Sequence, residues 1–175
     1  MENLIITKEY LGIIDEGYRY KIEGNLSTQA SIVINLDKGL FVSGSIKAGG
    51  SINVGGSIEA GEYINVGEYI KAGGSIKTGG SINVGWSIEA GGSINVGWSI
   101  EAGGSIKAGG SINVDRGILA QLSITCKTLL TARLGIFAGV CVWKNPSESE
   151  QTITCGKLDG TVKYGILKLT GENSV

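Results

Sequence analysis

Ser45-Ile46-Lys47-Ala48-Gly49-Gly50 is followed at once by Ser51-Ile52-Asn53-Val54-Gly55-Gly56, and the block continues unbroken to Ser111-Ile112-Asn113-Val114, twelve blocks in all. Ile recurs at every sixth residue from Ile46 to Ile112. Two residues after each Ile stands a small or β-branched side chain, from Ala48 and Val54 through Thr78 to Val114. A period of six is a multiple of two, so both positions point to the same side of an extended strand. Six is not a multiple of 3.6, and on a helix the same Ile residues would scatter around the axis. A short fixed period of this kind predicts a β-solenoid, a chain that coils and stacks on itself.

Composition agrees. The chain has 175 residues, 42% of them apolar, with 30 glycines and a single proline. Collagen would need Gly at every third residue and abundant Pro, and a disordered Gly/Ser linker would not keep Ile in strict phase. Scarce proline suits stacked coils, because each coil pairs its backbone N–H groups with a neighbour. A formal net charge of −1 excludes both a polybasic nucleic-acid binder and a strongly acidic mimic. The segment Met1–Glu9 has no basic start and no long apolar run, so it does not read as a secretory signal. No stretch approaches a membrane span. Cys126, Cys141 and Cys155 lack CxxC spacing and read as reduced thiols in a cytoplasmic protein.

The six-residue phase continues in weaker form outside the clean blocks. Backwards it assigns Leu40 with Val42, then Ile34 with Leu36, to the inward positions; forwards it reaches Ile118, Ile124, Leu130 and Ile136, with Cys126 in the small position. Leu11–Ile14 and Tyr18–Ile22 read as two strands joined by the turn Asp15-Glu16-Gly17, and Asp159-Gly160 signals a second hairpin. The expected organisation is an N-terminal β cap over residues 1–33, a solenoid over 34–142, and a C-terminal loop and β-hairpin cap over 143–175.

The residue after each Ile indicates how many blocks make one coil. Stacked coils lie about 4.8 Å apart, so like charges in one column repel. Two blocks per coil would set Glu89 on Glu101, and four would set Lys47 on Lys71. Three blocks give the columns Lys47-Asn65-Asn83-Glu101, Asn53-Lys71-Glu89-Lys107 and Glu59-Lys77-Asn95-Asn113, in which no like charges touch. The expectation is an all-β, triangular β-solenoid of about six coils, eighteen residues each, with hairpin-like caps at both ends.

The pairs Val54-Gly55, Val66-Gly67, Val84-Gly85 and Val96-Gly97 resemble the aliphatic-Gly signature of the hexapeptide-repeat proteins, which form triangular left-handed β-helices. Large and small positions are exchanged relative to that signature, so handedness stays open. The Gly/Ile/Val-rich blocks are also similar to those of bactofilin-like polymer-forming β-helix proteins. The first resemblance implies acyltransferase or zinc-dependent chemistry built on histidines, whereas this chain has none. No phosphate-loop pattern and no convergent acid, base and nucleophile set stands out. The sequence therefore predicts no enzyme, no catalytic residue, no cofactor and no metal.

What departs from the repeat is aromatic. Trp86 and Trp98 replace the second corner glycine, and Tyr63 and Tyr69, each preceded by Glu, replace the outward serine. Such side chains either pack over Gly-rich surface or anchor a partner. The functional expectation is a rigid scaffold binding another protein, itself, or both, through these four residues. An inhibitor of phage or mobile-element type that occludes a host enzyme or defence complex, and a degenerate hexapeptide-repeat acyltransferase, are the alternatives.

Overall fold

A computed structural model describes residues 2–170. It shows a parallel β-solenoid in which residue i of the repeat region pairs with residue i+18: Ile52, Ile70, Ile88 and Ile106 form one column. Three short strands make each coil. They build face I (through Ile52–Val54 and Ile70–Ala72), face II (Ile58–Ala60 and Ile76–Thr78) and face III (Ile64–Val66 and Ile82–Val84). Faces II and III form one continuous sheet only because the strand Leu129–Ala138 runs round their shared corner, with Leu130 on Ile112 and Ile136 on Ile118.

The core follows from the period-two pattern. Every repeat Ile and every Ala or Val two residues later is buried, most with 0–6% of their surface exposed. Burying one Ile contributes about 1.5–3 kcal/mol. Thr78 takes one of the small positions; its buried hydroxyl donates to the Glu62 carbonyl, so no polar atom is left without a partner. Between coils the backbone is satisfied by ladders such as Ile70 N–H to Ser87 carbonyl at 3.0 Å and Gly85 N–H to Val66 carbonyl at 2.9 Å.

The charge columns stack as expected. Lys71, Glu89 and Lys107 are in register, with Lys107 Nζ 3.5 Å from Glu89, and Lys77 Nζ lies 2.8 Å from Glu59 on face II. These exposed pairs contribute little energy, but they penalise a slipped register.

The ends differ from expectation in three respects. The stack holds about eight turns, not six, because irregular terminal segments join it through longer loops. Leu4–Ile6 lies beneath Ile32–Ile34, and the partner of Ile124 is Ile153. At roughly 4.8 Å per turn the rod is about 40 Å long. Second, the inward pair below Ile52 and Val54 is Ile32 with Ile34, not Ile34 with Leu36. Extra residues at the Asp37-Lys38 turn shift the phase, so Leu26 pairs with Ile46. Third, Asp159-Gly160 makes no hairpin. Both lie inside the strand Lys157–Tyr164, which runs parallel on Leu129–Ala138; a neighbouring coil already supplies the backbone pairing that a hairpin would provide. The N-terminal hairpin does form. Ile13–Asp15 pairs antiparallel with Arg19–Ile22, and Asp15 accepts the Gly17 N–H at 2.8 Å.

Two predictions follow from this packing. Ile88→Ala should cost about 2–5 kcal/mol and Asn83→Ala little, measured by denaturant unfolding. Cys126 and Cys155 are free and buried, Cys141 partly exposed. Burial, with the nearby Cys155, pushes the Cys126 thiol up to about 11 and raises Cys155 as well. At pH 8 both stay protonated, so iodoacetamide should label Cys141 in the folded protein and reach the other two only after denaturation.

Candidate functional site

Each coil turns its corners with two residues, and the two are not equivalent. A Cβ on the first corner glycine, for example Gly67, Gly85 or Gly103, would overlap the backbone carbonyl oxygen of the corner beneath. That oxygen cannot move without breaking the coil. A Cβ on the second, for example Gly92 or Gly110, would overlap a serine Oγ of the coil beneath, the end of a side chain that can rotate away, with the backbone no nearer than 3.1 Å. Every corner substitution from Glu62 to Trp98 occurs at the second position, and the first is glycine from Gly49 to Gly109, giving way to Asp115 and Gln121 only at the C-terminal end of the repeat.

Where the second glycine is kept, serines form a ladder. On the corner between faces I and II, Ser75 N–H donates to Ser57 Oγ at 2.9 Å, Ser93 to Ser75 at 3.1 Å and Ser111 to Ser93 at 3.1 Å. Gly56, Gly74, Gly92 and Gly110 keep this corner plain throughout. The other two corners carry the substitutions. Glu62 and Glu68 accept the Ser45 and Ser51 hydroxyls at 2.6 Å, which satisfies the serines another way.

All four aromatics singled out in the sequence lie on the two corners that border face III, with 42–64% of their surface exposed. The structure brings Tyr63 and Trp98 together: both line a shallow depression of about 490 Å³ floored by Gly79 and Gly80 and edged by Asn83. Trp98 is held from above by the Arg116 guanidinium, 4.1 Å from its ring centroid. Trp86 stands across face III, on the corner to face I. Directly beneath it is Glu68, whose carbonyl accepts the Trp86 N–H at 2.7 Å. Tyr69 is separated from the others. It opens onto face I, lining a depression with Asn53, Lys71 and Glu89.

One member of the site was missed from sequence. Trp143 lies in the loop that leaves the stack at Gly139, whose φ of +83° favours glycine. The loop folds back so that Trp143 Nε1 donates to Gln121 Oε1 at 2.8 Å, and Trp86 and Trp143 line a depression of about 390 Å³ over Gly85 and Gly103. The loop is tied by the Lys144–Glu150 pair; hydrogen bonding from Lys144 holds the Glu150 carboxyl down to about 2, so the tie is present at neutral pH and lost as pH falls through that value. Trp143 stands outside the six-residue phase, so no periodic signal marks it. Leu119 and Phe137, outward-facing on face III, follow Ile118 and Ile136 in the six-residue phase and were legible from it.

This geometry separates two neighbouring substitutions. Gly85→Ala should lower the melting temperature by several degrees or prevent folding, because its Cβ has no room. Trp86→Gly should melt close to the parent, measured by circular dichroism in the same buffer. Among the described residues no helix is long and apolar enough to cross a membrane. A comparison with protein-family models, with curated proteins and with solved structures gives no match to this chain.

Proposed function

We propose that this chain is a non-catalytic, rigid β-solenoid that acts by protein–protein contact through face III and the aromatics along its borders. One observation carries the proposal: the repeat departs from Gly and Ser only on the two corners that flank this face, while the third corner stays plain from Gly56 to Gly110. Packing alone gives no reason for that bias, since all three corners have the same Gly-Ser construction. Trp and Tyr supply large contact area at small entropic cost and are the usual anchors of interfaces. A flat, stiff sheet loses little freedom when it docks.

The resemblance to bactofilin-like polymer-forming proteins supports the same scaffold reading. Three free cysteines suit a reducing compartment, and we place the protein in the cytoplasm. The chain has no histidine, the commonest general base, which favours binding over transfer chemistry.

The test is the double variant Trp86→Gly/Trp98→Gly, with melting and binding measured on the same samples. The rod should melt within a few degrees of the parent, because both changes restore the repeat and lose only exposed contacts such as the Arg116 stack, worth about 0.5–1 kcal/mol. Association with a partner or with itself should weaken by at least about 2 kcal/mol, roughly thirtyfold. Unchanged association, or a large fall in melting temperature, would return the tryptophans to a packing role.

A further inference from the structure

The charges of the three faces are arranged differently. On face I, Glu89 pairs with Lys107, and on face II, Glu59 pairs with Lys77, each between adjacent coils. Face III carries one cation and one anion in its repeat column, Lys47 and Glu101, with Asn65 and Asn83 between them. All four are exposed, and neither charge has an ion-pair partner among the described residues. Three coil steps separate them, roughly 14 Å, too far to pair within one chain. The column Lys-Asn-Asn-Glu is complementary to its own reverse.

We propose that face III pairs with face III of a second copy of this chain, the two rods antiparallel about a two-fold axis crossing the face between Asn65 and Asn83. The proposal rests on the reading of face III as a contact surface and names its partner. An isologous contact repeats every interaction twice. Lys47 of each copy meets Glu101 of the other, and Asn65 meets Asn83, whose side-chain amides donate and accept across the interface. The corner between faces II and III fits in the same register. An axis of this kind sets each corner against its own reverse, so Trp98 comes over Gly44-Ser45 of the second copy and Tyr63 over Gly80-Ser81. On this corner bulky anchors meet glycine, and Tyr63 enters the depression that Tyr63 and Trp98 of the second copy share. On the corner to face I, Trp86 comes over Glu68-Tyr69 of the second copy, an aromatic contact made twice. A parallel pair would set Lys47 on Lys47 and Glu101 on Glu101, which like-charge repulsion disfavours.

Sedimentation velocity on the full chain over a concentration series tests this, with a melting curve for each variant. The parent should dimerise. Lys47→Glu and Glu101→Lys should each raise the dissociation constant about tenfold or more, since both place like charges in contact twice. The double reversal Lys47→Glu/Glu101→Lys should recover the dimer. An equimolar mixture of the two single variants should form a heterodimer, because every Glu then faces a Lys. A monomeric parent, single variants that associate like the parent, or a mixture that stays monomeric would overturn the proposal. A monomeric parent that still captures a different protein, with loss on Trp86→Gly/Trp98→Gly, would leave the contact function standing and remove self-pairing alone.

Discussion

The rest of the molecule depends on the close approach of one coil's backbone to the next at the corners. The carbonyl oxygen of each corner occupies the space a Cβ would need on the first glycine of the coil above, and the same corners carry the ladder of N–H donors, Gly67 to Ala48, Gly85 to Val66 and Gly103 to Val84. Glycine is required here for space, not for an unusual φ, because none of these glycines lies in the left-handed region. Gly55 marks where the constraint lapses. Nothing stands beneath its missing side chain, because the coil below widens at the Asp37-Lys38 turn.

That constraint decides where chemistry is permitted. The inward Ile and its small companion must fill the core, and from Gly49 to Gly109 the first corner position is always glycine. Three positions per block remain free: the outward residue of the strand, the serine, and the second corner residue. Apart from the choice of Ala, Val or Thr at the small inward position, the variety of the repeat is concentrated in these, as charge on the strands and as Glu, Tyr and Trp on two corners. The substitutions are coupled across coils. Trp86 stands where the coil beneath carries Tyr69 instead of serine, so it displaces no ladder hydroxyl, and Glu62 and Glu68 each take over a serine below them.

The two ends of the rod solve a different problem. Interior coils are satisfied on both sides, whereas a terminal coil presents an unpaired edge. At the start the chain folds the hairpin of Ile13–Asp15 and Arg19–Ile22 onto the stack, with Tyr20 and Ile22 buried. At the other end it lengthens its coils, through the loop that carries Trp143 and then the strands Lys157–Tyr164 and Ile166–Leu169. This places an aromatic from outside the repeat beside one from within it, over the same glycine floor.

The sequence by itself determined the solenoid, its eighteen-residue coil, the buried columns and the charge columns. Each of these follows from strict periodicity: a strand has period two, the core has one inside, and coil-on-coil stacking reads the same residue types at a constant offset. It also marked Tyr63, Tyr69, Trp86 and Trp98 as departures from the pattern. Where the period fails, so does the legibility, and the inward pair Ile32 and Ile34, the unmade Asp159-Gly160 hairpin and the return of Trp143 were decided by tertiary contacts. So was the grouping of the aromatics. Tyr63 and Tyr69 are equivalent as sequence, each a Tyr after Glu, yet one opens on face III beside Trp98 and the other on face I. Three corners per turn distribute adjacent blocks to different sides of the rod, so residues close in the chain diverge while residues a whole coil or more apart converge.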